Sequence, residues 1–112
     1  MRTRPVVNGR TIYAEPFAYD LLTGQKKPNW RFRRSYGCGI LAGGRNILTF
    51  RSATLGYRGL TDEAETRNFG GIRPGCWINA IPAGGLVLMP DYTHGCECSY
   101  QIKTSLALEP KQ

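Results

Sequence analysis

The sequence is poor in acid. Eight Asp and Glu stand against fifteen Lys and Arg, a net charge of +7. Paired carboxylates for acid–base work, and the oxygen-rich cages that hard cations take, have few residues to draw on. Histidine is scarcer still: His94 is alone, with no Asp or Ser at motif spacing. That removes the usual arrangements of nucleophile, base and orienting group. Long apolar runs are lacking too. The longest useful one, Leu86-Val87-Leu88-Met89, is the size of a strand. A membrane-crossing helix needs roughly 18 such residues, so no span is expected. No apolar stretch follows Met1–Arg4, and no secretory leader is read there.

Turn chemistry is abundant instead. Gly 14 and Pro 7 in 112 residues exceed the usual share, while a hydrophobic content of 41% argues against disorder. Many turns joining short strands make an all-β chain. The length is one small domain's worth or a piece of a larger one.

The positive charge is uneven. Residues 1–34 carry Arg2, Arg4, Arg10, Lys26, Lys27, Arg31, Arg33 and Arg34 against Glu15 and Asp20, and the rest is nearly neutral. A basic patch attracts nucleic acid, anionic glycans or acidic surfaces. No nucleic-acid motif accompanies it, so nucleic acid is not expected as a partner. Arg31, Arg33 and Arg34 are the candidate anion contacts; the plainer alternative is a solvated or partner-facing edge.

Cys38, Cys76, Cys96 and Cys98 form an even set. In a loop-rich β chain that fits two disulfides and a periplasmic or extracellular compartment; reduced thiols in the cytosol are the alternative. A Cys96–Cys98 bond would be strained, so each is expected to bond to Cys38 or Cys76. With His94 the four cysteines also offer a Cys/His metal site, but Cys-x-Cys is tighter than the usual zinc knuckle, and no metal is expected. Residues 70–75, Gly-Gly-Ile-Arg-Pro-Gly, lack the Lys-Ser/Thr of a phosphate loop and read as a connection between units. Trp30, Trp77, Tyr57 and Tyr100 are expected to pack between sheets rather than stack on a ligand.

A repeat organises the chain. Val6-Val7 leads to a turn at Asn8-Gly9, then Thr11–Ala14, then Phe17–Leu21, a turn at Thr23-Gly24, and an alternating segment Asn29–Arg33. Gly39–Ala42, Gly43-Gly44, Ile47–Phe50, Leu55–Leu60 and Arg67–Phe69 follow the same plan. So do Cys76–Ala80, Gly84-Gly85, Leu86–Met89, Cys98–Ile102 and Ser105–Leu108. Gly9, Gly44 and Gly85 lie 35 and 41 residues apart, and Tyr19, Tyr57 and Tyr100 lie 38 and 43 apart. Four short strands recurring at about 40 residues is the pattern of a β-propeller blade. The expected architecture is a partial propeller of about three four-stranded blades, with units at 1–34, 35–73 and 74–112. Three blades leave two sheet faces uncovered, so further blades of a longer chain, or a second copy, are the expected partners.

The segment Pro5–Tyr13, followed by Tyr19-Asp20-Leu21-Leu22-Thr23-Gly24, resembles the blade repeat of PQQ-like (quinoprotein alcohol dehydrogenase-like) β-propellers. Trp30 stands near that repeat's late Trp position. Residues 36–39, 69–79 and 95–100 are similar to the carboxy-terminal part of large propeller proteins of planctomycete-type bacteria. The resemblance implies a scaffold and does not bring the quinone. Quinone enzymes of that class carry adjacent cysteines, whereas Glu97 separates Cys96 from Cys98, and no acidic cluster flanks either Trp. No cofactor is expected. The expected role is a non-catalytic binding or scaffolding module for an unknown ligand. The rival readings are a fragment of a quinone- or metal-dependent oxidoreductase, and a polyanion-binding module built on the basic first unit.

Overall fold

The computed structural model describes residues 4–37, 39–61, 65–70, 72–75, 80–90 and 105–110. It is all-β, with ten strands in three antiparallel sheets and no helix among the described residues.

The first sheet is a meander of β1 (Val6–Asn8), β2 (Thr11–Ala14) and β3 (Phe17–Asp20). Asn8 pairs with Thr11, so the two-residue loop is Gly9-Arg10 rather than Asn8-Gly9. Gly9 alone has a positive φ (59°), the signature of a II′ turn. Asn8 stays in the strand because its side chain is engaged elsewhere. Its Nδ2 donates to the carbonyls of Gly44 at 2.8 Å and Arg45 at 3.0 Å. Beyond β3, the Asp20 carboxylate accepts from the backbone N–H groups of Leu22 (2.9 Å) and Thr23 (3.0 Å). Gly24 then takes φ 73° and donates to the Asp20 carbonyl at 2.8 Å. The Asp-x-x-Thr-Gly segment is thus a self-capped turn.

The expected strand at Asn29–Arg33 does not form. Only Tyr19 and Lys26 make an isolated bridge. Pro28 lacks an N–H, and the Phe32 N–H goes to the Pro16 carbonyl at 3.0 Å instead of into a ladder. The alternation survives as burial: Phe32 is buried while Arg31 and Arg33 are exposed.

The second sheet has four strands in order: β4 (Ala42–Gly43), β5 (Ile47–Ser52), β6 (Thr54–Gly59) and β7 (Arg67–Phe69). Ala53, at φ 60°, is the single residue between β5 and β6, and its N–H donates to Tyr36 at 2.7 Å. The third sheet contains β8 (Ile81–Ala83), β9 (Leu86–Met89) and β10 (Leu106–Leu108), with β9 central. Gly84 and Gly85, both at positive φ (58° and 77°), close its first hairpin. The strand here begins at Ile81, after the expected Cys76–Ala80, of which Ala80 alone is described and is buried. β10 pairs directly with β9, the position expected for Cys98–Ile102, so Ser105–Leu108 does not close the unit as a fourth strand behind them. Cys98–Ile102 lies outside the described residues. Among the described residues only the middle sheet has four strands, and the three sheets close no ring.

The middle sheet is covered on both sides. Leu48 and Phe50 of β5 join Phe32 and Leu41 in a core completed by Val6, Tyr13, Trp30 and Leu60. Leu55 of β6 belongs to a second core with Ala80 and Met89, flanked by Ile72, Val87, Leu106 and Leu108. Phe50 meets Phe32 edge-to-face at 4.7 Å. Its ring lies over Gly56, where a Cβ would overlap it. The Thr49 hydroxyl, fully buried, donates to the Ala80 carbonyl at 2.6 Å and ties the second sheet to the third.

The outer faces differ. On the third sheet the register places Ile81, Leu88 and Ala107 in one row and Ala83 with Leu86 in the next. All five are apolar and exposed, with Ile81 at 41% and Leu86 and Leu88 at 37% each. On the first sheet Val7, Ile12 and Tyr19 form the matching outer row, beside Ala14 and Phe17. Val7 is 58% exposed.

Candidate functional site

Every sulfur candidate falls outside the described residues. Cys38, Cys76, Cys96, Cys98 and His94 all lie there, as do Trp77 and Tyr100. Among the described residues no three His, Cys, Asp or Glu side chains gather as a metal site would require.

The three candidate anion contacts part company. Arg31 and Arg33 are exposed, but Arg34 turns inward, its side chain only 4% exposed. Its Nε donates to Glu15 Oε1 at 2.9 Å, and its terminal nitrogens donate to the carbonyls of Arg51 and Gly39, each at 3.1 Å. The fork of the guanidinium bridges the first sheet's hairpin to the end of β5, and Arg34 adds nothing to a surface patch.

Arg34 is not the only arginine carried inside. Arg51, Arg58 and Arg73 are also buried. Arg51 is fully covered, donates from Nε to Ala53 at 3.0 Å, and sits 5.5 Å from the Tyr36 ring. Gly37 lies against its aliphatic stem, where a Cβ would come within 2.7 Å of it. The reason is topological. A strand in a sheet sandwiched by two others has no face open to water, so a long cation on it must lie between sheets. Composition carries no such information.

Arg58 belongs to a cleft between the first and second sheets. In β6, Leu55 and Tyr57 point toward the third sheet, so Thr54, Gly56 and Arg58 point toward the first. The Arg58 guanidinium lies 3.7 Å from the Trp30 ring, in cation–π contact. Trp30 in turn meets Tyr13 at 5.1 Å in a tilted arrangement. One terminal nitrogen of Arg58 donates to the Arg31 carbonyl, while Nε is buried with no partner. Burial pulls the guanidinium below its ordinary range, and the nearby Glu65 and Tyr13 oppose that shift. The cleft has a volume of about 670 Å³ and is walled by Thr11, Tyr13, Lys27, Asn29, Trp30 and Arg58, among others. Lys27 Nζ donates to the Thr11 hydroxyl at 2.8 Å. Of this group the sequence singled out Trp30, as packing, and Lys27, within the basic first unit; the repeat places Arg58 on a middle strand but does not say that both of its faces are covered.

A second groove, about 870 Å³, lies between the middle and third sheets and is lined mainly by apolar residues, including Tyr57, Phe69, Pro82, Val87 and Leu108. No family model, curated protein or solved structure matches the chain.

Proposed function

We propose that the chain is a non-catalytic binding or scaffolding module of the β-propeller type, its three sheets acting as successive blades. The apolar outer face of the third sheet carries this reading. Within the chain, apolar faces of this kind are already covered by a neighbouring sheet, as Leu48 and Phe50 are on one side of the middle sheet and Leu55 on the other. Ile81, Ala83, Leu86, Leu88 and Ala107 repeat that chemistry on a face that no sheet covers among the described residues. Contiguous patches of this sort are uncommon on stable monomers. The occupant is a further antiparallel sheet with an apolar face, supplied by a longer chain or by a second copy. The order of the units and the resemblance to PQQ-like repeats support the same reading, as does the adjacency of the first strands of the sheets. β1 lies against β4, and β4 against β8. The compartment we assign, periplasmic or extracellular, rests on the cysteine count.

Sedimentation of the purified chain tests this. Self-association lost on Leu86→Lys with Leu88→Lys supports a second copy as the occupant. A monomer that binds a hydrophobic dye, with binding lost in the same variant, supports blades of a longer chain. A compact, monodisperse monomer with cooperative unfolding and no such dye binding defeats both.

A further inference from the structure

We propose that the cleft between the first and second sheets binds the oxyanion of a small molecule, a carboxylate or a phosphate, between Lys27 and Arg58, with Tyr13 and Trp30 as its apolar wall. Two cations line this cleft, and the described residues lining it include no carboxylate. Arg58 is 8% exposed, and no acidic side chain among the described residues lies within ion-pair distance of it. The Trp30 ring, one carbonyl and the more distant charge of Glu65 answer part of its charge, and Nε, itself covered, remains without a partner. A buried cation with an unmet donor is costly unless an anion compensates it.

The geometry suits that anion. A guanidinium is planar and presents parallel donors that match carboxylate or phosphate oxygens, and the cation–π contact with Trp30 holds it in place. Lys27 is exposed at the other side and is held by Thr11, so a second positive charge is positioned at the mouth. Asn29 adds amide donors at the rim. A volume of about 670 Å³ is that of a small-molecule pocket. The cleft lies away from the outer sheet faces, so this site stands whether or not the assembly reading holds.

The test is a titration of the full chain with inorganic phosphate and, separately, with benzoate, at matched ionic strength, followed by amide and indole NMR shifts. Saturable shifts centred on Trp30 and Lys27 are expected. Lys27→Ala should weaken binding about tenfold. Lys26→Ala, whose parent side chain lies 4.2 Å from the Phe17 ring, should leave binding within about twofold. Saturation by phosphate alone assigns a phosphate ligand, and by benzoate alone a carboxylate. Shifts that stay linear for both probes up to about 20 mM overturn the proposal. So does an equal loss in the two lysine variants, which would mean diffuse attraction to the basic surface. Lys27 is exposed, so its variant reports on binding without depending on a buried substitution.

Discussion

Asn8 on the first sheet is bound through its side-chain amide to Gly44, 36 residues later, at the first turn of the second sheet. The same nitrogen reaches the Arg45 carbonyl. A turn-forming residue type has been used to join two sheets, and the hairpin turn itself has moved one residue along.

Asn8→Ala removes both bonds and leaves two carbonyls to water or to nothing. The expected loss is about 1–2 kcal/mol of stability, read as a lower urea midpoint with an unchanged slope. Asn8→Asp should be no better, because a carboxylate cannot donate to those carbonyls.

Arg34 and Glu15 make a mostly buried ion pair, and Arg34 also serves two carbonyls. Arg34→Ala should cost about 3 kcal/mol, since it strands a largely buried carboxylate. Arg34→Lys should recover only part of this, because an ammonium lacks the planar fork that serves three acceptors at once. Chemical denaturation of the two variants side by side checks the order.

Ala53 holds φ 60°, a region that costs a residue with a Cβ roughly 1 kcal/mol. Ala53→Gly should therefore raise stability by about 0.5–1 kcal/mol, read as a higher melting temperature. Ala53→Val should lower it, since a β-branched residue fits that region worst.

Asp20 is held below the ordinary aspartate range, first by the Thr23 N–H and, against some desolvation, by the Leu22 N–H and Arg10. Its folded-state pKa is depressed, so its contribution is present above the unfolded value and is lost as pH falls through the folded one. Neutral pH should leave the turn intact, and strong acid should release the Leu22 and Thr23 amides. Their NMR shifts should titrate together below the ordinary carboxylate range, and Asp20→Ala should abolish that titration.

Where structure is set by near neighbours, it was legible. The Asp20-x-x-Thr23-Gly24 turn, the Gly84-Gly85 hairpin, the strands at Phe17, Leu86 and Arg67, and the all-β class follow from local turn chemistry and alternation. What escaped depends on distant partners. Asn8 left its turn for Gly44. The 29–33 segment alternates correctly but spends the Phe32 N–H on Pro16. β10 found β9 directly. Arg34, Arg51 and Arg58 look like surface charge until the sheets on either side are known. The candidate cleft was illegible for the same reason, since Lys27 and Arg58 come to line one cleft only when two sheets stack.

All named strand pairs lie within one sheet, and the backbone between Gly37 and Leu41 carries no ladder among the described residues. Severing the chain there would cut no strand pairing. The two pieces would keep every strand pairing and lose apolar cover, side-chain bonds such as Arg34 to Arg51, and the backbone bond from Ala53 to Tyr36. Each piece carries half of an interface shaped for the other, which makes this junction a natural site for splitting the protein into fragments that reassemble on mixing.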